Sequence, residues 1–348
     1  MPKSFKDYEH EGWNEKASQY ERVSLPLTHQ GFEPILTSFG DLRGKKLLDV
    51  CTGPGHLAGE AVVRGALVDA VDLSEAMVRE AKGRFSGIRF MEGDAEALPY
   101  GDVSFDAVAC CFGLLHLPNP AQGVREAYRV LKRGGRYSVT LWNGPERGGE
   151  LFKVILQTVS TLADMNVGLP KAPPMFELSE PGKIESVMSD AGFTDIQRKP
   201  IASAWRARRA EDIVELLNYG TVRTPLIIQL QKPDVRERIM EELVKAPLGM
   251  RLAGRPSRSI HLRTRQHRKL GRRGGHFMRR ASLRFSAHGP QRDVVHPSSR
   301  IAEPRLVAEK AGSLTFGSGQ SLDGNRFACL FHHKREQSQC PLCPSQRT

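Results

Sequence analysis

The sequence of 348 residues lacks long hydrophobic runs and contains little cysteine. No window approaches 18 consecutive apolar residues, which excludes a membrane-spanning helix of ordinary length. The first residues, MPKSFKDYEHEGW, contain no apolar segment, so we expect no secretory signal. Six cysteines in a chain of this length exclude a disulfide scaffold and favour a reducing, cytoplasmic location.

Acidic residues are scarce in one part of the chain only. Residues 251–348 contain 20 Lys and Arg against 5 Asp and Glu, a net charge of +15, whereas residues 1–250 carry a net charge of −3. The last 98 residues also lack apolar periodicity and are rich in Arg, Ser, Gly, His and Pro. Such a segment buries too little apolar surface to offset its chain entropy. We therefore expect it to be a basic tail that is disordered or translated out of frame.

The first 140 residues alternate between strand and helix patterns. Helices are predicted from His56 to about Arg64, from the N-cap Ser74 to about Phe85, and over Ala121–Leu131, where Gly134 and Gly135 end the last one. The five strands are predicted at Lys46–Val50, Leu67–Asp72, Ile88–Met91, Phe105–Cys111 and Arg136–Trp142. This alternation predicts an α/β fold with a doubly wound, mostly parallel, Rossmann-like sheet and helices on both faces.

The middle of the chain has a mostly helical pattern, with a sixth strand at about residues 193–201. We predict three regions on this basis. Residues 1–145 form the Rossmann-like core, and residues 146–250 form a helical lid and acceptor region that also supplies the sixth strand. Residues 251–348 form the basic tail.

The stretch Leu47–Gly59, LLDVCTGPGHLAG, predicts a strand that ends in an acidic residue, then a glycine turn and a helix. Gly53 and Gly55 permit backbone geometry and close ligand approach that a side chain would block, and the start of the following helix offers N–H groups to a polar ligand. Asp72, at the end of the second strand, is placed to accept hydrogen bonds from ribose hydroxyls. Together with Ala58, the two glycines also fit the GxGxxA dinucleotide pattern. These features alone leave a dinucleotide site and an adenosyl site open.

Further motifs favour the adenosyl site. They follow the glycine turn in the order VDLSEAMV (71–78), GDAEALPYGDVSFDAV (93–108), FGLLHLPNP (112–120) and LKRGGR (131–136). With LLDVCTGPG, this series resembles class I S-adenosylmethionine-dependent methyltransferases of the small-molecule type, over roughly residues 10–245 and most firmly up to Trp142. The resemblance implies transfer of a methyl group from S-adenosylmethionine to a small organic acceptor. Cys51 departs from the family pattern, because many members have glycine there.

The resemblance also implies roles for residues at the glycine turn. Asp49, Gly53 and Gly55 would hold the methionine moiety of the cofactor, Asp72 would bind the ribose hydroxyls, and Cys111 would lie near the sulfonium. Asp72 could instead be an ordinary strand-end carboxylate. Since neighbouring residues of a strand face opposite sides, either Cys111 or the cysteine before it is expected to be plain core.

Other residues are implied around the adenine. Leu73 and Met77 would pack against the base, Asp94 would accept a hydrogen bond from its amino group, and Ala95 would line its pocket. Tyr20 lies in an N-terminal stretch that folds over the cofactor in related enzymes. The alternatives are a helix cap for Asp94, helix core for Met77 and an amphipathic helix packed on the sheet for the segment of Tyr20.

His116 is the candidate catalytic residue, since it follows the fourth strand and histidine can take a proton near neutral pH. Methyl transfer from an activated sulfonium needs a base only when the acceptor is protonated in its ground state. Alignment of the acceptor and exclusion of water supply the rest of the catalysis. A positioning or structural role is therefore the alternative for His116.

The tail allows other interpretations. Residues 261–280, HLRTRQHRKLGRRGGHFMRR, have the clustered arginines of a nucleic-acid-binding arm, so the alternative function is an RNA-binding or RNA-modifying protein. Cys340 and Cys343 have no second pair at zinc-finger spacing, so no metal is expected. Family members usually end with an antiparallel seventh strand, a pattern that is lost after Val244–Lys245. The segment RFACLF (326–331) is the candidate to supply this strand.

Overall fold

The computed structural model describes residues 2–247, 249–251 and 257–263. The strands are β1 Lys46–Val50, β2 Leu67–Asp72, β3 Arg89–Glu92, β4 Phe105–Cys111, β5 Leu131–Thr140, β6 Thr194–Ile201, β7 Ala204–Arg206, β8 Gly249–Arg251 and β9 Ser257–Arg263. The helices are α1 Phe5–Val23, α2 Leu25–Thr28, α3 Phe32–Ser38, α4 His56–Val63, α5 Glu75–Arg84, α6 Pro120–Val130, α7 Glu150–Leu162, α8 Lys183–Ala191, α9 Asp212–Gly220, α10 Arg223–Gln229 and α11 Pro233–Leu243. In the described part of the chain, no helix combines the length and the hydropathy that crossing a membrane requires.

Seven of the strands form one sheet in the order β3-β2-β1-β4-β5-β9-β6, in which β3 to β5 are parallel. The central strands β1 and β4 are apolar along nearly their whole length because both faces of the sheet are covered. On one face Val124 of α6 and Met188 of α8 are buried against the sheet, and on the other face Ile35 of α3 and Ala58 of α4 are buried. The predicted doubly wound fold is confirmed.

The predicted elements of the core agree closely with the structure. The predicted bounds of the first, second and fourth strands are those of β1, β2 and β4, and Ser74 caps α5 by accepting a hydrogen bond from Met77 N. The predicted bounds of β5, Arg136–Trp142, are wrong at both ends, because this strand runs from Leu131 to Thr140 and contains the two glycines expected to end α6. Gly134 takes a positive φ of 75° inside an irregular stretch of pairing with β4, so it serves the strand rather than the helix end.

The sequence analysis was wrong about residues 257–263, which it assigned to the basic tail. These residues form β9, which pairs antiparallel with β5 on one side and with β6 on the other. The segment SRSIHLR has only a short apolar alternation, so its pattern is weak. Backbone hydrogen bonds to two neighbouring strands do not depend on that pattern, and they place the strand in the sheet. The rest of the tail, including RFACLF and both cysteines of the zinc candidate, lies outside the described residues.

A helical layer covers the carboxyl edge of the parallel strands. Helices α7, α9, α10 and α11 pack on one another around a buried apolar cluster that reaches Phe112 and Trp142 of the core. The N-terminal helix α1 contacts both α5 and α9. The edge of the sheet where β1, β2 and β4 end is thus enclosed between α1 and this helical layer.

Candidate active site

The turn after β1 has the backbone geometry that its glycines predict. Gly53 and Gly55 take positive φ angles of 55° and 83°. A side chain at Gly55 would also collide with Phe90, whose ring lies 2.8 Å from the position of an added Cβ. Cys51 takes a φ of 57°, a left-handed conformation that favours glycine. This geometry accounts for glycine being the usual family residue at the position of Cys51.

Asp72 connects the end of β2 to this turn. Its Oδ2 accepts a hydrogen bond of 2.8 Å from Gly53 N, and its Oδ1 accepts one of 2.9 Å from Ser74 N. Burial raises the pKa of the Asp72 carboxyl, against the lowering effect of these backbone donors. Through these two hydrogen bonds the Asp72 carboxylate stabilises the turn, and it also lines the cavity beside the turn.

Asp49 lies beneath the turn. It is 1% exposed, accepts a hydrogen bond of 2.7 Å from Thr52 Oγ1, and does not line the cavity. Burial, with a smaller contribution from the charge of Asp72, raises the pKa of Asp49 to about 7. The geometry gives Asp49 a supporting position behind the turn, and its direct contact with a methionine moiety stays a prediction.

The raised pKa of Asp49 predicts a pH-dependent stability. The folded chain holds a proton that the unfolded chain loses near pH 4, so the free energy of unfolding should fall as the pH rises from about 4 to about 7 and then level off. We expect Asp49→Asn to reduce the loss of stability between pH 5 and pH 8 by ~2 kcal/mol. Chemical denaturation at both pH values measures this difference. An unchanged pH dependence in the variant would contradict the assignment.

Asp94 also lines the cavity, as do Leu73, Met77 and Ala95. Its Oδ1 accepts a hydrogen bond from Glu96 N, and its Oδ2 lies 2.6 Å from Lys6 Nζ. Burial by itself would lower the pKa of Lys6, but hydrogen bonds to Asp94 and Glu96 raise it. The sequence analysis missed Lys6, which lies 88 residues from Asp94 in the chain.

Helix α1 covers the glycine turn. Asn14 Oδ1 accepts hydrogen bonds from Ser74 Oγ at 2.7 Å and from Ala76 N at 3.0 Å, which ties α1 to the start of α5. Tyr20, one turn and a half further along α1, lines the cavity beside Gly53. Burial raises the pKa of Tyr20, so its hydroxyl stays protonated and donates to Thr28 Oγ1. Tyr20 therefore lines the same cavity as Gly53, and its contact with a cofactor stays a prediction.

His116 faces the same cavity from the 3-10 helix Leu114–His116 that follows β4. Its Nδ1 lies 2.8 Å from Glu9 Oε2, and its ring meets the Trp13 ring edge-to-face with centroids 5.0 Å apart. Glu9 is a second residue that the sequence analysis missed. No motif or spacing in the sequence analysis marked it.

Two cysteines and an aromatic group lie at the end of β4 and just after it. Cys110 is fully buried in the core, whereas Cys111 lines the cavity, so one of the two cysteines is plain core as predicted. Burial raises the pKa of the Cys111 thiol well above its usual range, which keeps it neutral. Beyond it, the rings of Phe112 and Trp142 stack with centroids 3.7 Å apart, and Phe152 packs against Trp142.

These walls enclose one cavity of about 530 Å³. All of the residues predicted for the site except Asp49 and Gly55 line it, namely Tyr20, Gly53, Asp72, Leu73, Met77, Asp94, Ala95, Cys111 and His116. Sites for cofactors and small molecules commonly enclose ~300–1,000 Å³. Two carboxylates, Asp72 and Asp94, the apolar side chains of Leu73 and Met77, and Gly53 line one cavity, a combination that fits an adenosyl cofactor.

Comparisons with known proteins agree with this geometry. The sequence profile of a family described as "Methyltransferase domain" matches residues 48–139. The chain is 30% identical over 212 residues to the demethylmenaquinone methyltransferase of Clavibacter sepedonicus, covering 55% of this chain and 84% of that protein. It is 35% identical over 165 residues to the demethylmenaquinone methyltransferase of Deinococcus radiodurans, covering 43% of this chain and 68% of that protein.

Among solved structures, the YcgJ protein of a Bacillus species is 20% identical and aligns with a TM-score of 0.47, over 69% of this chain and 100% of that one. The two sequence relatives are similar to the present chain over more than two thirds of their own length. The sheet order, the glycine turn and Asp72 at the cavity wall agree with the motifs that first indicated an adenosyl site. The chain therefore belongs to the class I S-adenosylmethionine-dependent methyltransferases that act on small molecules.

Proposed function

We propose that this methyltransferase acts on an apolar, ring-bearing acceptor that carries an ionisable hydroxyl, as a hydroquinone does. The observation that carries the proposal is the single cavity in which Asp72 and the glycine turn adjoin a chamber of aromatic and aliphatic side chains. An acceptor bound in that chamber would lie next to the cofactor, so the methyl group would not pass through water on its way to the acceptor. Both relatives named above are demethylmenaquinone methyltransferases, which supports a quinone-type ring for this chain as well.

The composition of the chamber supports an apolar acceptor. Its walls come from the segments that follow β4 and β5 and from the helices of the lid, and they are formed by Phe112, Trp142, Leu151, Phe152, Ile155, Leu156, Leu216, Leu217 and Ile227. Stacked rings such as those of Phe112 and Trp142 offer a flat apolar surface to a planar ligand. A charged, strongly hydrated acceptor would lose its water there without compensation.

The roles of the chain's own residues follow from the same proposal. Asp72 binds the ribose hydroxyls, and Leu73 and Met77 pack against the adenine. Asp94 accepts a hydrogen bond from the adenine amino group, once Lys6 shares or releases the Asp94 carboxylate. S-adenosylmethionine, when bound, supplies a methyl group that its sulfonium already activates. The protein contributes alignment of the acceptor and exclusion of water by the apolar chamber.

Incubation of the full chain with S-adenosylmethionine and reduced demethylmenaquinone tests the proposal, with mass spectrometry of the product as the measurement. We expect Leu156→Lys, which places a charge in the chamber wall, to lower kcat/KM for this acceptor about tenfold, the scale of losing one buried leucine contact. Its control is Gln157→Lys, on the exposed side of α7. Both variants should bind S-adenosylhomocysteine like the wild type in calorimetry. Absence of methylated product with a folded wild-type chain would refute the acceptor class.

The cytoplasmic location stays a prediction from the low cysteine content. The nucleic-acid-binding arm falls mostly on residues beyond Arg263, outside the described part of the chain. Neither bears on the acceptor class.

A further inference from the structure

Helix α1 brings a buried carboxylate to the cavity, and the cofactor roles above do not use it. Glu9 is 4% exposed and lines the cavity beside His116. Its Oε2 lies 2.8 Å from His116 Nδ1 and 3.0 Å from Trp13 Nε1. A buried carboxylate is unfavourable unless its oxygens accept hydrogen bonds. Both donors that stabilise Glu9 therefore belong to the cavity wall.

The two contacts at Glu9 Oε2 define the protonation of His116. The indole N–H of Trp13 can only donate, and an ionised carboxylate can only accept. His116 Nδ1 must then carry a proton to donate to the same oxygen. In its neutral form the imidazole has its unprotonated nitrogen at Nε2. None of the described residues forms a hydrogen bond with His116 Nε2, and the side chain is 26% exposed.

The Trp13 side chain also restricts the ring of His116. The two rings meet at 90° with centroids 5.0 Å apart, so the imidazole cannot turn freely about its bond to the chain. Glu9 and Trp13 lie four residues apart on α1, on one face of the helix. Closure of α1 over the cavity therefore brings the carboxylate and the ring against His116 together.

We propose that Glu9 is a positioning residue that holds His116 as the Nδ1–H tautomer, so that Nε2 takes the proton of a hydroxyl-bearing acceptor during methyl transfer. This inference rests on the proposed function for the identity of the acceptor. It assigns His116 the role of general base through a partner 107 residues away in the chain.

The proposed step balances in atoms and charge. The O–H bond of the acceptor breaks, and its proton passes to His116 Nε2. The electron pair left on oxygen shifts into the ring, and a ring carbon forms the bond to the transferred methyl carbon while the bond from that carbon to sulfur breaks and its pair remains on sulfur. The methylated ring carbon then gives its hydrogen to water as a proton, which restores the aromatic ring, and the oxygen takes a proton back from water. The imidazolium that results faces the Glu9 carboxylate, which stabilises it until the proton passes to water.

The tautomer is measured without any acceptor. In ¹⁵N-histidine-labelled full-length protein above pH 8, the signals that disappear in His116→Ala identify His116. We expect the proton on Nδ1 in the wild type and in Glu9→Gln, since the amide oxygen of glutamine can accept both hydrogen bonds. Glu9→Ala should lose this preference, whereas Glu11→Ala, on the exposed side of α1, should keep it. A wild-type His116 with its proton on Nε2 would overturn the proposal.

Kinetics with reduced demethylmenaquinone test the role in the reaction. We expect His116→Ala to lower kcat about 100-fold, the lower range for a general base, and Glu9→Ala to lower it at least tenfold with an unchanged KM for S-adenosylmethionine. The double variant should be no slower than His116→Ala alone, because the two residues act as one unit. Additive losses would contradict the pairing. If the wild type does not methylate this acceptor, the proposed function fails, and the tautomer measurement decides the pairing of Glu9 and His116 separately.

Discussion

A chain cut after Gly249 should melt more than about 10 °C below the full-length protein and should aggregate. The cut removes β9, whose backbone pairs with β5 over residues 136–140 and with β6 over residues 194–201. Each net backbone hydrogen bond contributes roughly 0.5–1.5 kcal/mol, so losing both ladders removes on the order of 5 kcal/mol. Whole domains are stable by only ~5–15 kcal/mol. A loss of 1 kcal/mol lowers the melting temperature of a domain of this size by about 2–4 °C.

A chain cut after Gly271 is the control for this prediction. It keeps β9 and removes 13 of the 20 Lys and Arg of residues 251–348, so its melting temperature should stay within about 3 °C of the full-length value, the effect of ~1 kcal/mol. Differential scanning calorimetry measures both chains, and light scattering detects aggregation of the exposed strand edges. Equal melting temperatures for the two truncated chains would show that Ser257–Arg263 does not stabilise the sheet.

Replacing Asp72 by alanine should weaken binding of S-adenosylhomocysteine roughly 100-fold or more. We expect the carboxylate to accept hydrogen bonds from two ribose hydroxyls, and bonds to a charged group are worth ~1.5–3 kcal/mol each. The variant also loses the acceptor of Gly53 N and Ser74 N, which loosens the turn that approaches the cofactor. Calorimetric titration of the full chain measures the change in affinity.

Two variants separate the parts of this effect. Asp72→Asn keeps one oxygen acceptor but places an amide donor opposite a backbone N–H. This variant should therefore also bind S-adenosylhomocysteine at least tenfold more weakly, a loss of ~1.4 kcal/mol. Asp69→Ala removes an acidic side chain from the same strand that does not line the cavity, and it should leave the affinity unchanged. A loss of less than threefold in Asp72→Ala would show that Asp72 is not the ribose ligand.

Much of the candidate site was visible in the sequence because it is local. Asp72 ends a predicted strand, and the glycine turn, Asp94 and His116 each follow one, and the carboxyl ends of parallel strands meet at one edge of the sheet. Their common cavity therefore follows from the fold class. Lys6 and Glu9 could not be found in this way, because each meets its partner through packing of α1 across about 90 residues or more of chain.

Sequence patterns were sufficient to predict the family, the succession of the core strands along the chain, the bounds of β1, β2 and β4, and the residues at the carboxyl ends of the strands. Short-range patterns specify these features, since a buried strand and a glycine turn leave little freedom in residue type. The tertiary structure alone decided that Ser257–Arg263 closes the sheet between β5 and β6. It also decided that Glu9 and Trp13 hold His116 at the cavity wall. Both depend on partners distant in the chain: backbone hydrogen bonds carry no sequence pattern, and a buried carboxylate is stable only where folding brings its donors.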